Sequence, residues 1–448
     1  MLAPSGMTPP ALKMLAVMIT VTIWWITEAF PVSVTALMIP LMVHALGIMP
    51  FQEAIKESFG NTVIPFMIGV LGLSAAFTAS GLGKRIAYRL LTLIGSSTTM
   101  IIGAYLWMSF LVCMFIDPLA VVAMMLPLAL GLLKAIDAKP GNTNFGKALM
   151  MAIIFGAILG GSSTPAGASS NVITIAFLTK MNIKVSFFYW TLVAAPIALV
   201  SSSITWWLIL KIFPPEIKSF PHLADILQLD LESMGKWTTK EKTTLIVFVS
   251  AITLWITSDL TGLPVAFVSL LILAGITLPV VGVFRTWKEI HIEWGGVILL
   301  VGGFVVGVAA SKTGLASWLV EKGLAPMAAL PKFLQPSAVV LLIATDSLGF
   351  SSFGTTASVN VPFIMAYAQH AGLPLLAMTM VAGIASSVHF ILVTQSPSIV
   401  LPYTTGYFTF RDLAKIGVCV TLVSAVTITI GMIIAGMPAG TQLSAPVK

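Results

Sequence analysis

The chain has 448 residues, of which 58% are apolar and only 9% are Asp, Glu, Lys or Arg. A water-soluble domain of this composition would lack the polar coat that covers a core, so the composition excludes that class. The formal net charge is +7. The basic residues are expected mostly in loops near lipid head groups, so nucleic-acid binding is not expected.

The first apolar stretch predicts a membrane helix that stays in the protein, because no signal-peptide pattern is seen at the N-terminus. It ends in the block W-W-I-T-E-A-F-P from Trp24 to Pro31, where Glu28 is expected to orient the helix end. Further apolar runs approach the roughly 20 residues that a spanning helix needs: Thr99 to Ile116, Thr244 to Ser258, Gly296 to Ser311 and Ile416 to Ala435. They lack the alternation of barrel strands. The sequence therefore predicts an all-α, multi-pass protein of the bacterial inner or plasma membrane, with broken or re-entrant helices where runs are short.

Two features of the first half return in the second half. The Trp24 block is followed about 230 residues later by the W-I-T-S-D block from Trp255 to Asp259. Two glycine pairs also have equal spacing, namely Gly69 with Gly81, and Gly302 with Gly314. These matches predict two inverted repeats, residues 12–212 and 244–436, joined by the polar loop 213–243. Alternatively, the glycines simply allow helices to pack closely.

The first half contains a polar break, I-L-G-G-S-S-T-P-A-G-A-S-S-N-V-I-T-I-A, at residues 158–176. Such a break is tolerated at membrane depth only where it is buried or lines a watery cavity. Freed carbonyls suit a hard cation such as Na⁺, and a helix N-terminus favours a carboxylate. The predicted substrate contacts here are Ser163, Thr164 and Asn171, and the predicted Na⁺ or coupling positions are Gly160, Gly161 and Gly167. A structural kink without ligands is the alternative.

The corresponding stretch of the second half runs from Ser386 to Ser398 and contains a histidine. Thr394, Ser396 and His389 are its predicted substrate contacts. His389 either supplies positive charge or a proton near an anionic substrate, or is a neutral, hydrogen-bonded core residue.

Two further breaks precede these, one in each half. Asp117 comes before Pro118, and an ionisable residue at membrane depth indicates a cation or proton site. Asp beside Pro is also a common helix start, so a capping role is equally open. In the second half, residues 351–360 supply Thr355 and Thr356 as predicted substrate contacts and Gly354 as a predicted coupling position.

Enzymatic chemistry is not expected. The two cysteines, Cys113 and Cys419, have no disulfide or metal spacing and are assigned to packing. Neither an H-E-x-x-H nor a G-x-S-x-G motif occurs, and the five histidines are scattered. No cofactor is expected other than Na⁺ as a coupling ion.

The Trp24 block, followed by the pattern G-G-x-x-T-P-x-G-x-x-x-N from Gly160 to Asn171, resembles the divalent anion/sodium symporter family over nearly the whole chain. The resemblance implies a homodimer in which each subunit has a scaffold part and a mobile transport part. Substrate would bind between two helix-hairpin tips and move by an elevator mechanism. The substrates implied are succinate, malate, fumarate, 2-oxoglutarate, citrate and sometimes sulfate.

The chain departs from the family's two Ser-Asn-Thr signatures. With Pro127 kept in register, the first falls at Asp117-Pro118-Leu119, and the second falls at Ser352-Phe353-Gly354 or at Gly354-Thr355-Thr356. An extra carboxylate would repel an anion unless a cation or proton intervenes. The leading hypothesis is a transporter of C4 or C5 dicarboxylates by sodium symport or anion exchange. The alternative is a cation/proton antiporter or inorganic-anion carrier in which Asp117 is essential.

Overall fold

The structure is a computed structural model that describes residues 6–27, 29–92, 96–219, 231–280 and 282–435. Glu28, positions 220–230 of the polar loop and residue 436 lie outside the described residues. Within the described part the chain is helical, and one isolated bridge between Ser97 and Ser219 is its only β-type pairing. The all-α prediction is confirmed.

The first half runs from α1 to α10. Its helices are α1 (Pro9–Thr27), α2 (Val32–Ala45), α3 (Phe51–Phe59), α4 (Val63–Ser80), α5 (Leu82–Thr92), α6 (Thr98–Cys113), α7 (Pro118–Ala135), α8 (Asn144–Ser162), α9 (Ser169–Lys180) and α10 (Phe187–Ile212).

The second half runs from α11 to α21. Its helices are α11 (Thr239–Ile256), α12 (Ser258–Thr261), α13 (Val265–Ile276), α14 (Trp294–Thr313), α15 (Leu315–Gly323), α16 (Ala325–Ala328), α17 (Gln335–Asp346), α18 (Phe353–His370), α19 (Leu375–Ala385), α20 (Pro397–Tyr403) and α21 (Phe410–Ile434).

Seven of the described helices are long and apolar enough to cross a membrane, namely α1, α4, α7, α8, α10, α14 and α21. Four shorter apolar helices, α2, α6, α13 and α19, have 10–17 residues. A helix rises about 1.5 Å per residue, so these shorter helices reach only part of the way across a hydrocarbon layer of about 30 Å.

The glycines that repeat in the sequence end equivalent helices. Gly81 follows α4 with φ 77° and ψ 4°, and Gly314 follows α14 with φ 78° and ψ 5°. Glycine adopts this left-handed conformation without steric cost, which makes it the usual residue after a helix. In both places a short helix with an amphipathic sequence, α5 or α15, follows directly.

The two halves pack on each other through the other glycine of each pair. α4 packs on α13, where a side chain at Gly69 would overlap the backbone of Ser269. α14 packs on α2, where a side chain at Gly302 would lie 2.8 Å from the backbone of Ala36. Each glycine thus allows a helix of one half to approach a helix of the other half closely.

The described ends of the polar loop are fixed to the helices. Arg85 of α5 is buried and pairs with Glu241 of α11, with 2.6 Å between Nε and Oε1. Arg85 also donates to the carbonyl oxygens of Met234 and Gly235 in the loop. At the other end, partial burial opposes ionisation of Glu216, but hydrogen bonds from the backbone N–H groups at the start of α8 lower the pKa of this carboxyl. Both described ends of the loop are therefore anchored to the helices.

Candidate functional site

The site is built from two hairpin tips and two helix breaks. Tip 1 is residues 114–117 between α6 and α7, and tip 2 is residues 347–352 between α17 and α18. Break 1 is residues 163–168 between α8 and α9, and break 2 is residues 386–396 between α19 and α20. Tip 1 contacts break 1, which forms the first junction, and tip 2 contacts break 2, which forms the second junction.

The side chain of Asn171 forms hydrogen bonds that link the two sides of break 1. Its side-chain amide is fully buried and donates to the carbonyl oxygens of Gly161, at 2.9 Å, and Thr164, at 2.7 Å. The Thr164 hydroxyl donates to the carbonyl oxygen of Met114 in tip 1. Asn171 therefore satisfies carbonyl groups that the helix break leaves without partners, and Thr164 satisfies one at the end of α6.

Glycines bring several carbonyl groups together at the first junction. A side chain on Gly167 would overlap the carbonyl oxygen of Gly161 and lie 2.7 Å from that of Cys113. A side chain on Gly161 would lie 3.0 Å from the carbonyl oxygen of Gly167. Gly160 serves a different purpose, because it lets α8 approach the backbone of Phe110 in α6.

The donor set of the first junction suits a hard monovalent cation. Backbone carbonyl and hydroxyl oxygens are the ligands that hard cations prefer, whereas transition metals favour His and Cys. Among the residues that the structure describes, no group of three or more His, Cys, Asp or Glu side chains could hold a metal ion.

His389 lies at the centre of the second junction. It is fully buried, and its Nδ1 lies 2.8 Å from the carbonyl oxygen of Gln395 while its Nε2 lies 3.0 Å from the Thr356 hydroxyl. Its ring centroid is 4.8 Å from that of Phe353. Of the two roles that the sequence allowed for His389, these contacts match the hydrogen-bonded core residue.

Two side-chain amides complete the second junction. Gln395 accepts from the N–H groups of Ile391 and Leu392 and donates to the Ser347 hydroxyl in tip 2, at 2.9 Å. Asn360 of α18 donates to the Asp346 carboxylate at 2.7 Å. Sequence reasoning missed both amides as site residues, and the only available signal was their position at the edges of the two polar breaks.

The two junctions meet at the N-termini of α9 and α18. The hydroxyls of Ser170 and Ser387 share a hydrogen bond of 2.8 Å between break 1 and break 2. A side chain on Gly354, in the first turn of α18, would lie 3.1 Å from the Ser169 hydroxyl at the start of α9. Neither of these helices has a side-chain cap, so free backbone N–H groups of both are available to a negatively charged group.

Asp117 lies at the start of α7, where its carboxylate accepts from the backbone N–H of Leu119 at 2.9 Å. The capping role that the sequence suggested is therefore present. The half-buried carboxylate also lines a cleft of about 330 Å³ with Glu289, His291 and Glu293. This acidic cleft attracts cations and repels anions.

The remaining residues that the sequence predicted as substrate contacts differ in burial and in hydrogen bonding. Ser163 is buried and donates to the Leu159 carbonyl, and Thr355 is buried in the first turn of α18. Ser396 caps α20 through the Ser398 N–H. Thr394 is exposed in a short 3₁₀ turn.

A second cleft, of about 560 Å³, lies at the other end of α4. It is lined by Thr62 and Phe66 at the start of α4, by Pro165 of break 1 and by Lys184. The acidic cleft is lined by residues between Leu71 and Ala79 of the same helix. The first junction therefore has a cleft on either side, with Asp117 on one side and Pro165 on the other.

Comparison with known proteins gives the family. The model of the sodium:sulfate symporter transmembrane region matches residues 1–438. The chain belongs to this symporter family. The resemblance inferred from the Trp24 block and the Gly160 to Asn171 pattern is thereby confirmed. The protein is a multi-pass transporter of the plasma membrane and not an enzyme.

Curated relatives of this symporter include two sodium-dependent dicarboxylate transporters named SdcS. The protein of Staphylococcus aureus strain USA300 is 27% identical over 454 residues, which cover 95% of this chain and 86% of the relative. That of Staphylococcus saprophyticus is 27% identical over 457 residues with the same coverage.

Two solved structures show that the fold is one used by transporters. The YdaH transporter of Alcanivorax borkumensis has a TM-score of 0.57 at 16% identity, covering 97% of this chain and 100% of that one. MtrF of Neisseria gonorrhoeae has a TM-score of 0.63 at 13% identity, covering 97% and 96%.

Proposed function

We propose that the protein is a sodium-coupled symporter of small dicarboxylates such as succinate, malate and 2-oxoglutarate. The observation that carries the proposal is the first junction, in which carbonyl oxygens gather beside the uncapped N-termini of α9 and α18. Carbonyls bind a cation and N-termini bind a carboxylate, so one site offers both halves of a sodium and anion pair. The SdcS relatives support both the ion and the substrate class.

In this proposal the Na⁺ is a transported ion held at the first junction. The carbonyl groups of Gly161, Gly167 and Cys113 would contact it, while Asn171 keeps break 1 in the required shape. One carboxylate of the substrate would lie at the start of α9 and α18, near Ser169 and Gly354. A bound Na⁺ supplies positive charge beside the anion, which explains why the two would bind together.

The movement that we propose is an elevator motion. Helices α6 to α10 and α17 to α21 would form the transport part, because they contain both junctions. Helices α1 to α5 and α11 to α16 would form the scaffold part, on which a homodimer interface would lie. Of the clefts at the two ends of α4, the acidic one would admit Na⁺, and the other, which Lys184 lines, would admit the anionic substrate.

The test is uptake of labelled succinate and 2-oxoglutarate into proteoliposomes under a sodium gradient, a proton gradient, or internal unlabelled dicarboxylate. The expected result is stimulation by sodium in the wild type and its loss in Asn171→Ala, a variant that opens break 1. Stimulation by internal dicarboxylate alone would instead indicate an exchanger. Uptake of labelled sulfate without uptake of either dicarboxylate would contradict the proposed substrate class.

A further inference from the structure

The two junctions occupy equivalent places in the two halves but are closed by different groups. At the first junction, backbone carbonyls approach one another across Gly161 and Gly167. At the second junction, an imidazole and two amides fill the equivalent space. We propose that His389, Gln395 and Asn360 are positioning residues that close the second junction without a cation, so that the sodium dependence of transport resides in the first junction alone.

The contacts of His389 determine which of its nitrogens carries hydrogen. The Gln395 carbonyl can only accept, so Nδ1 must donate to it across 2.8 Å. Nε2 lies 3.0 Å from the Thr356 hydroxyl, which also lies 3.1 Å from the Ser352 carbonyl and can donate to it. Both nitrogens are therefore used in joining break 2 to α18, and neither points towards open space.

Gln395 connects break 2 to tip 2. Its side-chain oxygen accepts from the backbone N–H groups of Ile391, at 2.9 Å, and Leu392, at 2.8 Å. Its side-chain nitrogen donates to the Ser347 hydroxyl at 2.9 Å. The side chain is 1% exposed. One buried amide thus satisfies two backbone donors of the break and also holds the hairpin.

Asn360 extends the same set of hydrogen bonds along α18. Its amide nitrogen donates to Asp346 at 2.7 Å and to the Thr356 carbonyl at 3.0 Å. The Gln395 carbonyl, the Gln395 side-chain oxygen, the Thr356 carbonyl and one oxygen of Asp346 each accept a hydrogen bond from a protein donor. A cation would have to displace those donors and lie among N–H groups, whose partial charge is positive.

The first junction differs at two of its three carbonyls: the Gly161 carbonyl accepts from Asn171, whereas no side chain of the described residues donates to the carbonyls of Cys113 and Gly167. Its side-chain donors are Asn171 and Thr164, and glycine at positions 161 and 167 leaves the backbone carbonyls close together with no side chain between them. The inference rests on the proposed sodium-coupled function and names which of the two junctions would carry the ion.

The experiment compares matched variants of the two junctions by measuring uptake in proteoliposomes over a range of sodium and dicarboxylate concentrations. Asn171→Leu and Gln395→Leu each remove one buried amide. Thr164→Val and Ser347→Ala are the milder partners, and each removes one hydroxyl that bonds between a tip and its break. Gel filtration and thermal melting identify variants that have not folded.

We expect first-junction variants to raise the half-saturating sodium concentration by about fivefold or more, which corresponds to the loss of one hydrogen bond. Second-junction variants should lower maximal uptake by about fivefold while the half-saturating sodium concentration stays within about twofold of wild type. A merely structural role would not separate these two parameters.

Two results would overturn the inference. If Gln395→Leu or Ser347→Ala shifts sodium dependence as strongly as the first-junction variants, the second junction also takes part in cation binding, and the proposed function survives. If wild-type protein takes up dicarboxylates without sodium stimulation, the proposed function and this inference fail together.

Discussion

Gly167 is the residue whose replacement tests the first junction most directly. An alanine there would overlap the Gly161 carbonyl oxygen and crowd that of Cys113, and overpacking of a buried backbone contact costs about 1–3 kcal/mol. We expect Gly167→Ala to lower the melting temperature and abolish sodium-stimulated uptake. Gly131→Ala is the control, because nothing lies within 4 Å of that position in α7. A Gly167→Ala protein with wild-type melting and uptake would contradict the close approach.

Asp117 combines a helix cap with a charge, and the two roles can be separated. Asn caps a helix about as well as Asp, so Asp117→Asn should keep the fold while removing charge from the acidic cleft. We expect it to raise the half-saturating sodium concentration about threefold to tenfold, because a charged cleft concentrates counter-ions. Uptake at varied sodium and pH measures this effect. Unchanged dependence on both would leave Asp117 as a cap only.

Asp117→Ala serves as the comparison, because it removes the cap as well as the charge. Loss of a cap costs about 0.5–2 kcal/mol. Asp117→Ala should therefore melt at a lower temperature than Asp117→Asn, while the two variants share the same change in sodium dependence.

At the scale of the helices, the glycines that follow α4 and α14 lead to the same prediction for each half of the chain. Gly81 and Gly314 have positive φ and nothing within 4 Å, so alanine would be strained without any clash. Left-handed backbone costs a residue with a side chain roughly 1–2 kcal/mol, and Asn tolerates it better. We expect Gly81→Ala and Gly314→Ala to lower stability by a similar amount, and the Asn variants to lower it less. Thermal unfolding in detergent would show this, and equal effects of Ala and Asn would contradict it.

The sequence predicted the helix breaks because Gly, Ser, Thr and Pro cannot form a regular lipid-facing helix. It could not predict which way each polar side chain points. Asn171 was predicted to contact substrate, yet its amide bonds to the carbonyls of its own break. Gln395 was not predicted at all, because one amide in a polar run gives no signal of its partner Ser347, which is distant along the chain. The assignment of the site residues stays a prediction.

At the scale of the molecule, the packing of the halves limits what can move. α13 of the second half packs on α4 of the first half, and α14 packs on α2. Helices of each half therefore pack on helices of the other half. The proposed scaffold part contains helices from both halves. A transport part would therefore be assembled from both halves, with α8 contacting α10 and α10 contacting α21. The inverted repeat on either side of residues 213–243 stays a prediction, and the two halves do not pack as separate units.

An elevator motion would break some ion pairs and keep others. Lys180 of α9 pairs with Glu57 of α3 at 3.0 Å, which joins the proposed transport part to the scaffold. Lys147 of α8 pairs with Asp412 of α21 at 3.1 Å, within the transport part. If the parts move relative to each other, the first pair must separate during transport and the second pair must not.

Cross-linking tests this distinction with two matched cysteine pairs. The background carries Cys419→Ser and retains Cys113, which is fully buried. Lys180→Cys with Glu57→Cys, once joined by a reducible thiol cross-linker, should lose sodium-driven uptake and regain it on reduction. Lys147→Cys with Asp412→Cys should transport in both states. Uptake by the cross-linked 180–57 pair would mean that α9 and α3 stay together through the cycle, so the moving part would have to exclude α9 and break 1 with it.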